Sequence, residues 1–216
     1  MEQQNKYAVL LYPSFSLQEI TCLTSALTVW FGEGIDVIAS ERKPYRSEEG
    51  FSIVPNKTVE EADPAGYACI ILPGTINPLP ALFDEKLIDF LRRGAGTDTL
   101  FAAISSAPAL LSKAGLLDGK DFTAGYFMQL AETFPFIDTA HFVHRPVVDS
   151  GNVITAIGMF FREFAQRVLE RLGYDPGPHF METSYREFTE DELTFYWTEE
   201  DYQEFLEELK EFTGKD

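Results

Sequence analysis

The sequence predicts a three-layer α/β sandwich, with helices on both faces of a mostly parallel central sheet. Three observations lead there. Short continuous apolar runs recur along the chain, as strands buried on both faces require. Amphipathic helical patterns alternate with those runs. The connections are short as far as about residue 174, and no internal repeat interrupts them.

The first run, Tyr7 to Tyr12 (YAVLLY), reads as a buried strand ended by Pro13. Ser16 to about Phe31 reads as a helix with Leu17, Ile20, Leu23, Leu27 and Trp30 on one face, closed by Gly32 and Gly34. Ile35 to Ala39 is a second strand. The polar, turn-rich stretch from Lys43 to Thr58, around Gly50, is expected to hold a short hairpin. Tyr67 to Leu72 is a third strand, ending in Pro73-Gly74, and Asp84 to Arg93 is a helix. Thr99 to Ile104 is a fourth strand that passes directly into a helix over Ala107 to Ala114. Phe122 to Ala124, Val147-Val148 and Val153 to Thr155 read as further short strands. Phe160 to Leu172 reads as a long amphipathic helix ended by Gly173.

The composition changes after Asp175-Pro176-Gly177-Pro178. Residues 1–175 are therefore expected to form the α/β domain, and 176–216 an acidic helical extension packed on it. Thr198 to Phe212 reads as a helix; Thr198 with Asp201 resembles a capping box, and Tyr202, Phe205, Leu206, Leu209 and Phe212 form an apolar stripe. The stripe points to docking on the core. A lid or a partner-binding appendage is the alternative.

The net charge of −18 argues against nucleic acid, which needs a basic face to displace counterions, and against an anionic membrane surface. No run of about 18 apolar residues occurs, and the N-terminus lacks a charged-then-apolar leader, so a cytoplasmic location is expected. Cys22 and Cys69 sit in apolar contexts without a CxxC. They are expected to be buried and inert, with neither a disulfide framework nor a zinc site. No metal and no cofactor are predicted. A Rossmann dehydrogenase is disfavoured, because no G-x-G-x-x-G follows the first strand.

Ligands of an open α/β sheet bind at the carboxyl ends of its strands. Three such ends stand out: Tyr12 to Glu19 after strand one, Leu72-Pro73-Gly74-Thr75 after strand three, and Ala103 to Pro108 after strand four. A strand running into a helix through small residues is the geometry of a nucleophile elbow, with the turn side chain above the sheet and the next N–H free to meet an anion. Ser105 would be that side chain, Ser106 the next N–H, and Thr75 a second donor from the neighbouring loop. The residues alone leave a plainer reading open. Ser105 and Ser106 also suit helix N-caps, and Ser16-Leu17-Gln18-Glu19 fits S-x-x-E, which would make Glu19 a capping residue.

A resemblance narrows these alternatives. The segment Ala103 to Lys120 (AISSAPALLSKAGLLDGK) resembles the ThiJ/PfpI signature A-I-C-x-G-P-x-x-L-x-x-A-G-L-L-x-G-K. Ile71-Leu72-Pro73-Gly74 resembles the L-P-G-G of that family, Leu10 to Glu19 its first strand and acidic residue, and Gly151 to Ala156 (GNVITA) its late G-N-[LV]-[IV]-T-[AS] hairpin, found also in bacterial isonitrile hydratases. The similarity covers about residues 5–173. It implies a flavodoxin-like fold of the class I glutamine amidotransferase-like type. It also implies that Ser105 stands at the reactive-cysteine position and Glu19 at that of a protonated glutamate beside it. Gly74-Thr75 replaces the family's Gly-Gly. Where many members carry a histidine, this chain has Ala124 or Gly125, and His141, His144 and His179 all lie outside the motif.

Cysteine ionises near neutral pH, whereas serine needs an adjacent base. The expected protein is thus a small-metabolite-binding or weakly catalytic member, a pseudoenzyme with its pocket kept, and with Gly74, Thr75 and Ser106 as ligand-binding groups. One alternative is a hydrolase or hydratase in which Ser105 attacks, Glu19 is the base, and the Thr75 and Ser106 N–H groups hold the oxyanion. The other is an interaction module whose acidic C-terminus meets a basic partner. A small-molecule ligand and a homodimer, the commonest assembly, are the expected partners.

Overall fold

The computed structural model describes residues 6–177 and, beyond them, residues 180, 181, 189, 198–200, 202, 203 and 207. The chain divides into two compact units, Met1–Phe180 and Met181–Asp216. In the second, Glu199, Glu200, Tyr202, Gln203 and Glu207 are helical, and the Tyr202 N–H donates to the Thr198 carbonyl (3.0 Å). The rest of the predicted Thr198–Phe212 helix, and the docking of its apolar stripe, lie outside the described residues.

The first unit contains strands β1 (Tyr7–Leu10), β2 (Ile35–Ala39), β3 (Tyr45–Arg46), β4 (Ser52–Ile53), β5 (Lys57–Thr58), β6 (Cys69–Leu72), β7 (Leu100–Ile104), β8 (Val147–Ser150) and β9 (Val153–Ala156). Its helices are α1 (Gln18–Ser25), α2 (Leu79–Leu82), α3 (Glu85–Arg93), α4 (Pro108–Lys113), α5 (Met128–Thr133) and α6 (Phe161–Arg171). Seven strands form one sheet in the order β5-β2-β1-β6-β7-β9-β8, and β3 and β4 form a separate antiparallel hairpin. Every pairing in the main sheet is parallel except β8 with β9. This is the predicted architecture. The central strands β1, β6 and β7 are buried at every residue, which is why they read as unbroken apolar runs.

Several boundaries differ from the sequence expectation. The helix after β1 ends as an α-helix at Ser25 and widens into a π-turn over Ala26–Trp30 before Gly32 (φ 66°) closes it. Phe122 to Ala124 is not a strand: Phe122 makes a single bridge to Phe142, and the Thr123 N–H turns instead to the Thr155 hydroxyl (3.0 Å). Helices α2 and α5 were not expected. Both are too short to show a period.

The start of α1 contradicts the capping-box expectation. Neither Ser16 nor Glu19 caps it. The Leu17 and Gln18 N–H groups donate to Glu49 (3.1 and 2.8 Å), which reaches over from the β3–β4 turn, and the Ser16 hydroxyl donates to the same carboxylate (3.3 Å). Burial acts to raise the Glu49 pKa. The Gln18 N–H, the Ser47 side chain and the Leu17 N–H outweigh it and bring the pKa to about 2. A carboxylate with a depressed folded pKa adds stability above its unfolded value, near 4.3, and loses it as pH falls through the folded value. Glu49→Ala is therefore expected to cost about 1 kcal/mol at neutral pH. That cost should vanish between about pH 4.5 and 2, as read by urea midpoints across that range.

Candidate active site

The site forms where β1, β6, β7 and β9 end on the same edge of the sheet. Strand β7 delivers Ser105 at its carboxyl end, with α4 beginning three residues later. Ser105 has φ 63°, a left-handed conformation costly for a residue with a Cβ. Two hydrogen bonds pin it there. Its N–H donates to the Ala156 carbonyl at the end of β9 (2.8 Å), and its carbonyl accepts from the Gly125 N–H (2.7 Å). The turn thereby lifts the Ser105 side chain above the sheet.

Glu19 comes from the first turn of α1. With Glu49 capping the helix, the Glu19 carboxylate is free to turn inward. The loop carrying it is stitched to the loop after β6: the Ser16 N–H donates to the Gly74 carbonyl (2.8 Å), and Phe15 bridges Thr75. Glu19 Oε2 accepts from the Gly74 N–H (2.8 Å), and the Ser105 side chain acts on the same carboxyl. Burial pushes the Glu19 pKa up. The Ser105 hydroxyl and the Gly74 N–H pull it down, Glu48 and Glu49 push it up again, and the net effect is a rise. Beneath it, Tyr12 is fully buried and donates to the Pro73 carbonyl. Burial and the Glu19 charge push the Tyr12 phenol well up, so it stays a neutral strut.

Glycines make this approach possible. A Cβ on Gly74 would lie 2.3 Å from Glu19 Oε2 and 2.5 Å from Ser105 Cβ, and one on Gly158 would lie 2.4 Å from Glu19 Oε1. Any side chain at either position would separate the pair. The sequence pointed to Gly74 as a ligand-binding group; its N–H is spent on Glu19. The Thr75 N–H, expected as an oxyanion donor, donates to Ser106 Oγ (2.9 Å), and that hydroxyl donates back to the Thr75 carbonyl (2.8 Å). Ser106 therefore holds the loop with its side chain. Its own N–H has no hydrogen-bond partner among the described residues.

The remaining candidates lie elsewhere. His141 pairs with Asp121 (Nδ1–Oδ1 3.2 Å), His144 packs edge-on against Phe142, and His179 is outside the described residues. Cys69 is buried in β6, and burial pushes its thiol well up. Cys22 differs from expectation: it is only partly buried, although burial still raises its pKa. Among the described residues, no group of three His, Cys, Asp or Glu could hold a metal. None of their helices is long and apolar enough to cross a membrane.

A residue held at positive φ where a central strand turns into a helix, faced by a carboxyl from after the first strand, has the geometry of a nucleophile elbow on an open α/β sheet. The comparisons bear on the fold and the family. The model of the DJ-1/PfpI family matches residues 5–171, and the chain belongs to that family. Protein DJ-1alpha of Drosophila melanogaster is 34% identical over 135 residues, 60% of this chain and 60% of its own length. The isonitrile hydratase of Pseudomonas putida is 26% identical over 151 residues, 69% of this chain and 64% of its own length. The chain thus spans less than two thirds of either relative. The crystal structure of a DJ-1 superfamily protein from Agrobacterium tumefaciens superposes with a TM-score of 0.72 at 25% identity, covering 82% of this chain and 93% of that one.

Proposed function

We propose that this chain is a small-molecule-binding member of the DJ-1/PfpI family, at most weakly catalytic, with Ser105 standing where the family carries its reactive cysteine. The observation that carries this reading is the state of Glu19. A hydroxyl needs a base to become a nucleophile, and burial, the largest influence on the Glu19 carboxyl beside Ser105, opposes its charged form and raises its pKa. The described histidines make their contacts elsewhere. The occupied Thr75 N–H weakens the catalytic reading further, since it removes an expected oxyanion donor. The elbow itself favours binding: it holds a polar side chain above the sheet at the strand ends, where ligands of such folds sit.

A second reading has one observation in its favour. The Ser105 hydroxyl acts on Glu19 so as to lower its pKa, the sense in which a nucleophile hands its proton to a base. A hydrolase or hydratase would use that contact. A carboxyl carbon-13 titration separates the two. A Glu19 midpoint above the ordinary carboxylate value of about 4.3 is expected, together with loss of that rise on unfolding. A midpoint at or below that value would show that the site does not oppose the Glu19 charge, and would return Ser105 to the role of nucleophile. The proposal also includes a cytoplasmic location and a homodimeric assembly. It leaves the acidic C-terminal segment as a recognition element only if small-molecule binding fails.

A further inference from the structure

Two carboxylates have a claim on the start of α1. Glu19 has it by sequence, since Ser16-Leu17-Gln18-Glu19 carries the spacing of a capping box. Glu49 has it in the structure. Its Oε2 accepts from the Leu17 N–H (3.1 Å), and its Oε1 accepts from the Gln18 N–H (2.8 Å) and the Ser16 hydroxyl (3.3 Å). The hairpin turn that presents Glu49 is closed on itself: the Ser47 N–H donates to the Phe51 carbonyl (2.7 Å), and the Gly50 N–H to the Ser47 carbonyl (3.0 Å). Gly50, at φ 96°, supplies the backbone conformation this turn needs. The hairpin is also tied to the loop ahead of α1, by the Ser14 N–H to the Arg46 carbonyl and the Glu48 N–H to the Phe15 carbonyl (both 3.0 Å). A fixed frame thus delivers Glu49 to the helix start, where it stays exposed to solvent.

We propose that Glu49 is a positioning residue of the candidate site: by holding the start of α1 it keeps the Glu19 carboxyl on the Gly74 N–H beside Ser105, and without it Glu19 turns back to cap its own helix. The direction of that move follows from the two environments. At the site, burial opposes the Glu19 charge. At the helix start, unpaired N–H groups and the helix dipole favour a carboxylate. Removing Glu49 leaves the Leu17 and Gln18 N–H groups without an acceptor, in the same turn as Glu19. The helix start then becomes the better place for an ionised carboxylate. The Ser16 N–H keeps its bond to the Gly74 carbonyl (2.8 Å), so the loop itself need not move.

This inference rests on the proposed reading, in which Glu19 faces Ser105, and adds what holds it there. In the nitrogen-15-labelled full chain, the Gly74 amide signal reports the bond from Gly74 to Glu19, and Glu19→Ala gives its position when that bond is absent. Glu49→Ala is expected to move the signal most of the way to that position, with native dispersion kept elsewhere. Glu49→Gln keeps an acceptor for the helix start and should leave the signal close to its native place. In Ser105→Cys, the thiol midpoint should respond to Glu19→Ala less than half as much once Glu49→Ala is added. A Gly74 signal unmoved by Glu49→Ala, or a Glu19 effect on the thiol that keeps its full size without Glu49, would overturn the inference and leave the pairing of Glu19 with Ser105 standing. A signal moved as far by Glu49→Gln as by Glu49→Ala would also overturn it, because charge rather than capping would be the cause. A Gly74 signal unmoved by Glu19→Ala itself would overturn both the inference and the pairing.

Discussion

Asp36→Ala is expected to destabilise the protein by about 3–5 kcal/mol, the usual cost of removing one member of a buried charge pair. Asp36 lies in β2 with its side chain 3% exposed. It accepts from Lys57 Nζ (2.6 Å), Asn56 Nδ2 (3.2 Å) and the Tyr67 hydroxyl (2.8 Å). The three donors come from β5, from the turn before it, and from the approach to β6. One carboxylate therefore ties the sheet-edge strand to the strand beyond β1. Alanine would strand the Tyr67 hydroxyl in the interior and leave Lys57 without its charge partner. At about 2–4 °C per kcal/mol for a chain of this size, the Tm should fall by roughly 10 °C. Asp36→Asn keeps the shape and an acceptor for Tyr67, so it should cost less. A loss below about 1 kcal/mol for alanine would mean that water replaces the network. The pairings of β2 with β1 put Asp36 in the first half of its strand, away from the carboxyl ends that carry Ser105. Ser105-dependent binding should therefore survive at low temperature.

The parts of the molecule that could be read from sequence are those with a local cause. Strands β1, β6 and β7 announce themselves because both faces are buried, and the turn at Ser105 because small residues join a strand to a helix without a loop. What could not be read depends on partners distant in sequence. Ser16 and Glu19 have the spacing of a capping box, yet a carboxylate about thirty residues away takes the job. That substitution is what frees Glu19 for Ser105. The occupation of the Thr75 N–H is hidden for the same reason, since Ser106 is 31 residues on. Gly158 gave no signal at all. Its contribution is the absence of a side chain at one point in space, which no periodicity or motif spacing records.

Ser105→Cys is expected to create a thiol with a pKa at least one unit below the reference of about 8.5, a shift worth roughly 1.4 kcal/mol. The exchange is small enough for the elbow to tolerate. The Ser106 and Gly158 N–H groups have no partners among the described residues and can meet a thiolate. Glu19 decides the sign of the second step. Burial already raises its pKa, and a thiolate beside it would raise it further, so the carboxyl is expected to hold a proton and donate to the thiolate. Glu19→Ala in the same background should therefore move the thiol back up. Mild peroxide should convert the single variant to sulfenic or sulfinic acid faster than the double variant.

The most direct test of the central claim, that the environment for an activated group is intact around a residue that cannot use it, is thiolate absorbance against pH in Ser105→Cys with and without Glu19→Ala. The account predicts a midpoint of about 7.5 or below in the first and a higher one in the second. A midpoint near 8.5 in both, insensitive to Glu19, would contradict it and show that the pocket no longer organises chemistry at residue 105.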